Sequence, residues 1–176
     1  MTARVDALLR QIAQLPETER RELLMRLRTE AGRGGEFASN TLQGDADYIV
    51  IFDGGSRGNP GQGYGSYAII IGGKRVIRRL NLGGDMTNNE AEYGTLLSAL
   101  DDVQSQIELA DRLPEEFTVE IRGDSALVIN QLSGAWQARD ARMQAVRDGV
   151  RRQIARFKAN RLVQQPRSET VKVLGH

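Results

Sequence analysis

The sequence predicts a mixed α/β domain from three observations. Three β-type segments lie close together, separated by glycine-rich turns; β-type and helix-type segments alternate after them; and 40% of the 176 residues are hydrophobic, enough for a core. Hairpin-linked strands followed by alternating elements imply a mixed sheet with helices against it.

The apolar run Tyr48-Ile-Val-Ile-Phe52 predicts a first strand over 48–52, running into Asp53 and a loop with four glycines and a proline. A second strand is expected over 65–71 and a third over 74–82, joined by the Gly72-Gly73 turn. Thr87 or Asn88 can cap a long helix whose apolar positions are Ala91, Leu96, Leu97, Leu100 and Val103. A short strand over 117–121 ends at Gly123-Asp124, helices follow over 125–132 and 138–159, and a last strand is expected over 162–165. Ahead of these, apolar residues three and four apart over 4–28, interrupted at Pro16, predict a helical hairpin over 1–30. Residues 31–47 are rich in Gly, Ser, Asn and Asp and read as a flexible linker to a main domain over 48–176. So small a hairpin cannot bury much surface alone, and it is expected to pack on this domain, on a second copy, or on another protein.

There is no cysteine and a single histidine, His176, which excludes disulfides, thiolate chemistry and histidine-rich metal clusters. A metal would rest mainly on carboxylates, which favours hard divalent ions. No apolar run approaches the roughly 20 residues of a membrane span, and the N-terminus lacks a signal-peptide pattern, so no membrane partner and a cytoplasmic location are expected. The formal charge of +1 hides a basic stretch containing Arg139, Arg142, Arg147, Arg151, Arg152, Arg156 and Lys158. A polyanionic partner would suit it, and so would a solvated helix face.

Three acids fall at element edges: Asp53, Glu92 and Asp124. Adjacent strands are about 4.8 Å apart, so neighbouring first and fourth strands would bring Asp53 and Asp124 side by side, with Glu92 above. Carboxylates so close raise one another's pKa unless a cation compensates. Two divalent ions about 4 Å apart could activate water and hold a scissile phosphate without a histidine or lysine base. Taken singly, each acid also has a structural role open to it, as turn former, helix-dipole partner or cap.

Asp53-Gly-Gly-Ser-Arg-Gly-Asn-Pro-Gly61, Thr87-Asn-Asn-Glu-Ala-Glu92 and Gly123-Asp124-Ser125 resemble, in order and spacing, the motifs of type 1 ribonucleases H. The resemblance covers about residues 48–165. It implies the ribonuclease H-like fold, a five-stranded mixed sheet flanked by helices, and an endonuclease that cuts the RNA strand of RNA/DNA hybrids with two Mg²⁺ or Mn²⁺ ions. By motif, Asp53 would bridge the ions while Glu92 and Asp124 would ligate one of them and position the attacking water, and Glu90 would be a first-turn helix residue. Asn59, Asn88 and Asn89 match positions that touch the hybrid, and amides suit a 2′-hydroxyl. Gly54, Ser56, Arg57 and Ser125 belong to the same substrate-binding motifs. Trp136 is expected to pack rather than to stack on bases.

The C-terminus departs from the family. Pro166-Arg167 opens in the family's style, but no aspartate follows; Leu174 holds the place of the fourth acid and His176 ends the chain. His176 is expected to substitute as catalytic and metal-binding residue, with a bias toward Mn²⁺ because imidazole is softer than carboxylate. The alternative is a catalytically weak or inactive hybrid- or RNA-binding module.

Overall fold

The structure is a computed structural model that describes residues 14–16, 18–20 and 42–176. The chain divides into two compact units, Met1–Glu36 and Phe37–His176. Most of the expected hairpin and linker lies outside the described residues. In the first unit, the Arg20 amide donates to the Pro16 carbonyl, so a helical turn does open at this proline.

The second unit holds β1 (Tyr48–Gly58), β2 (Gly61–Ile71), β3 (Lys74–Met86), α1 (Asn88–Leu109), a 3-10 turn (Pro114–Glu116), β4 (Thr118–Gly123), α2 (Ala126–Ser133), α3 (Ala141–Ile154), β5 (Ala159–Gln164) and α4 (Arg167–Leu174). The five strands form one sheet in the order β3-β2-β1-β4-β5. β1, β2 and β3 are antiparallel, while β4 lies parallel to both β1 and β5. This is the expected five-stranded mixed sheet.

One sheet face carries Val50, Phe52, Tyr67, Ile69, Val119 and Ile121, packed on Leu96, Leu100 and Val103 of α1 and on α2 and α3. The other carries Ile49, Ile51, Ala68, Ile70 and Ile77, covered by Val173 and Leu174 of α4. Period-2 alternation along each strand divides the two cores.

Several expected boundaries move. The glycine run after Asp53 is a strand and not a loop: β1 stays paired with β2 from Tyr48 opposite Ile71 to Gly58 opposite Gly61. Glycine's low β-propensity hides such an extension, which the backbone ladder holds in place. α3 begins only at Ala141, where the Asp140 side chain accepts from the Met143 amide, and it ends at Ile154. The chain then turns into β5, so residues 155–159 are not helical. α4 has no counterpart among the expected elements. At the end of the predicted linker, the Leu42 amide donates to the Asn160 carbonyl, and Asp47 accepts from the Thr118 amide and hydroxyl.

Candidate active site

β4 pairs with β1 only as far as Phe52, which lies opposite Gly123. Asp53 and Asp124 are the next residues on these two strands, so the acids meet where the parallel ladder ends. Asp53 is 8% exposed. It points to the face covered by α4, since it shares its sheet face with Ile51.

α1 is seated against this corner by Gly54. A Cβ on Gly54 would fall 2.5 Å from the Ala91 carbonyl oxygen, so only glycine lets the helix backbone come this close. The start of α1 is fixed by a capping box in which Thr87 and Glu90 exchange bonds: the Glu90 amide donates to Thr87 Oγ1 (3.3 Å) and the Thr87 amide to Glu90 Oε2 (2.8 Å). Glu90 also pairs with Arg142 at 2.8 Å. Its carboxyl is held below the usual range chiefly by the Thr87 amide. Glu90 is thereby a structural residue, and Glu92 is the acid of this helix left to face the site.

Glu92 is pushed up to about 7, first by burial and then by the charges of Asp124 and Asp53, against the Ser125 hydrogen bond that lowers it. Ser125 Oγ donates to Glu92 Oε2 at 2.6 Å and caps α2 by accepting from the Val128 amide. That serine, expected at the substrate, holds Glu92 in place.

His176 reaches the site from the far end of the chain. Leu174, at the nominal position of a fourth acid, is 1% exposed and packs with Ile51 and Ala68. Gly175 then adopts a left-handed conformation (φ 82°), ends α4 and turns the last residue back over the sheet. His176 Nε2 lies 3.2 Å from Asp53 Oδ2 and 3.2 Å from Ser66 Oγ. The structure thus brings Asp53, Glu92, Asp124 and His176 into one neighbourhood.

Two residues here were not singled out by sequence reasoning. Arg167 at the start of α4 lies 3.0 Å from Asp124 and 3.6 Å from Asp53, and both carboxylates hold its guanidinium further into the charged form. Ser66, opposite Asp53 on β2, holds His176. The signal for Arg167 was the Pro166-Arg167 pair with Thr170 and Leu174 spaced one turn apart; Ser66 is visible only through strand register.

Among the described residues, no three histidine or carboxylate side chains are preassembled to hold a metal ion. Asp53 and Asp124 are drawn instead to Arg167, and Glu92 to Ser125. The donor set still fits a hard divalent cation. It is carboxylate oxygen plus one imidazole, and three neighbouring acids face one guanidinium.

The expected substrate residues form an adjoining cluster. The Ser56 amide donates to Asn88 Oδ1 at 2.8 Å, and the Asn88 amide donates to Asn59 Oδ1 at 3.2 Å. Asn59, Asn88 and Asn89 line a groove of about 710 Å³ that also carries Asp85, Glu90, Asp140 and Arg142. Arg57 is exposed on the same hairpin.

The basic stretch is largely engaged within the fold. Arg142 pairs with Glu90 and Arg147 with Asp148, Arg151 donates to the Gln131 and Leu132 carbonyls, and Arg156 pairs with Glu108. Its engagement favours the structural reading of these charges over a free phosphate-binding face. Trp136 is 50% exposed, contrary to the expected packing. It lies beyond Gly134, the left-handed residue that ends α2, and so outside the core.

No protein-family model matches the chain. It is 34% identical over 123 residues to the ribonuclease HI of Halobacterium salinarum, covering 68% of this chain and 56% of that protein's length. The solved structure of ribonuclease H1 from this archaeon superposes with a TM-score of 0.62 at 31% identity, over 72% of this chain and 90% of the other. LC11-RNase H1, solved in complex with an RNA/DNA hybrid, gives a TM-score of 0.61 at 28% identity, over 72% of this chain and 90% of the other. With its five-stranded mixed sheet and acids at the end of the β1–β4 ladder, this chain belongs to the ribonuclease HI family.

Proposed function

We propose that the chain is an endoribonuclease that hydrolyses the RNA strand of RNA/DNA hybrids with two divalent metal ions. The observation that carries this reading is the convergence on Asp53 of both chain-distant partners, His176 at 3.2 Å and Arg167 at 3.6 Å, beside Asp124 and Glu92. Asp53, Glu92, Asp124 and His176 would hold the ions. When bound, these would supply Lewis-acid activation of water and charge stabilisation at the scissile phosphate.

The chain's own residues account for the rest. Asp53 lies where the pairing of β1 with β4 ends. Glu92, held by Ser125, is pushed up to about 7 by burial and by the charges of Asp124 and Asp53, and a bound cation would favour its ionised form. Arg167 screens the two aspartates, and its guanidinium would be well matched to a substrate phosphate held at this corner. Asn59 and Asn88 already accept backbone and side-chain bonds through their carbonyl oxygens, leaving their NH₂ groups to donate to the strand.

The test is cleavage of end-labelled RNA/DNA, RNA/RNA and DNA/DNA duplexes with Mg²⁺, Mn²⁺ or chelator. The reading requires product from the hybrid alone, and only with metal. Hybrid binding with no product in either metal would show a binding module instead.

A further inference from the structure

We propose that Tyr64, Arg57 and Arg79 form a second contact surface for the nucleic-acid backbone on the β3 side of the candidate active site. This rests on the reading above that the substrate is a nucleic-acid hybrid.

Strand register sets the geometry. Asp53 is opposite Ser66, and Ser66 is opposite Arg79, so these three form one row across the sheet on one face. With strands about 4.8 Å apart, the Arg79 backbone stands about 10 Å from that of Asp53. Tyr64 is two residues from Ser66 and therefore on the same face, opposite both Gly55 and Asn81. Its ring lies across β1: a Cβ on Gly55 would come 2.8 Å from the Tyr64 hydroxyl oxygen. The absent side chain at Gly55 is the seat of the ring. Tyr64 is nonetheless 45% exposed, next to the Asp53 corner.

Arg57 and Arg79 differ from the arginines of the basic stretch. Both are exposed, and among the described residues neither side chain has a hydrogen bond or ion pair, whereas those of Arg142, Arg147, Arg151 and Arg156 are engaged. Uncharged Gln62, Ser66 and Asn81 lie beside them; Gln62 Nε2 donates to Asn81 Oδ1 at 3.4 Å. A cavity of about 150 Å³ is lined by Arg57, Gln62, Gly63, Tyr64, Leu80 and Asn81.

A polyanion approaching three carboxylates is repelled unless fixed positive charge lies alongside. Unpaired guanidiniums supply it with a geometry that matches phosphate. Between them, an exposed tyrosine ring offers an apolar face to a sugar or an unpaired base. Free edge-strand arginines can also serve merely to keep β3 from pairing with another chain, and the experiment separates the two roles.

Hybrid affinity is measured by fluorescence anisotropy across a salt series, in full-length protein carrying Asp53→Asn so that binding is read without cleavage. Combining Arg57→Ala with Arg79→Ala should lower the slope of log affinity against log salt by about 1.8, at about 0.9 per phosphate contact released. Tyr64→Ala should weaken binding at least about fivefold with the slope retained, and Tyr64→Phe should restore it. Circular dichroism confirms the fold of each variant, with Arg57→Gln and Arg79→Gln as replacements should the alanines misfold. An unchanged slope and affinity in all variants, or no salt-dependent binding by the parent, would overturn the proposal. Wild-type cleavage of the hybrid with an unchanged slope sinks this surface alone. A lowered slope with no wild-type cleavage sinks the ribonuclease reading and leaves the surface standing.

Discussion

Glu92 carries the clearest residue-level consequence. Its carboxyl titrates near 7 in the folded, metal-free protein and near 4.5 as an unperturbed group. Between these values the folded state binds more protons than the unfolded one, so stability falls as pH rises from about 4.5 through 7. Below 4.5 both states hold the proton and the penalty is absent; above 7 it is fully present. Glu92→Gln removes it while keeping an acceptor for Ser125. In chelator, this variant should be more stable than wild type by on the order of 2 kcal/mol at pH 8, and about equal to it at pH 4. Parallel denaturant melts at the two pH values check this, and a gain that does not grow with pH would contradict it. His176 gives a second prediction: His176→Ala should lower hybrid cleavage about tenfold or more and reduce the Mn²⁺ to Mg²⁺ rate ratio, since the softer ligand is the one removed. Wild-type rates in both metals would exclude a role for the ring. Asp53, Glu92 and Asp124 were legible because a short motif brackets each. Arg167 and Ser66 were not, because their roles arise from contacts with partners 43 and 110 residues away.

Among the elements, α4 shows how a short helix can matter more than its length suggests. It has eight residues and no side-chain cap, and it is held by burial of Thr170 and Leu174. Leu174→Ala should cost about 2 to 5 kcal/mol by thermal or denaturant unfolding, as for other fully buried leucines. Gly175→Ala should cost only about 1 to 2 kcal/mol, because it forces a left-handed conformation on a residue with a Cβ. Its effect on hybrid cleavage should nonetheless approach that of His176→Ala, since Gly175 aims the ring at Asp53. Cleavage by Gly175→Ala at the wild-type rate would detach the α4 turn from the site. This helix escaped sequence reasoning because Leu174 was read as a vacant acid position rather than as one turn of an apolar stripe. β1 was underestimated for the opposite reason: its last five residues contain three glycines, whose β-structure comes from pairing with β2 and not from their own preference.

For the molecule as a whole, the order of strands and helices in residues 48–165 was legible because hydrophobic period and turn residues agree along the chain. Sheet order was not legible in the chain, since no local pattern says that β4 inserts beside β1 and leaves β3 at the edge. That arrangement makes the site: two inner strands end their parallel pairing at Asp53 and Asp124, a helix backbone packs onto Gly54, and the C-terminus returns across the sheet to Asp53. The central claim, metal-dependent hydrolysis at this corner, is tested most directly by the initial rate of RNA-strand cleavage in an end-labelled RNA/DNA hybrid with Mn²⁺. Wild type and Asp53→Asn are compared after matching their folds by circular dichroism. The account predicts metal-dependent product from the wild type and a loss of at least about a hundredfold in the variant, equivalent to about 3 kcal/mol of barrier. Cleavage by Asp53→Asn within a few-fold of wild type, or no product from the wild type, would contradict it.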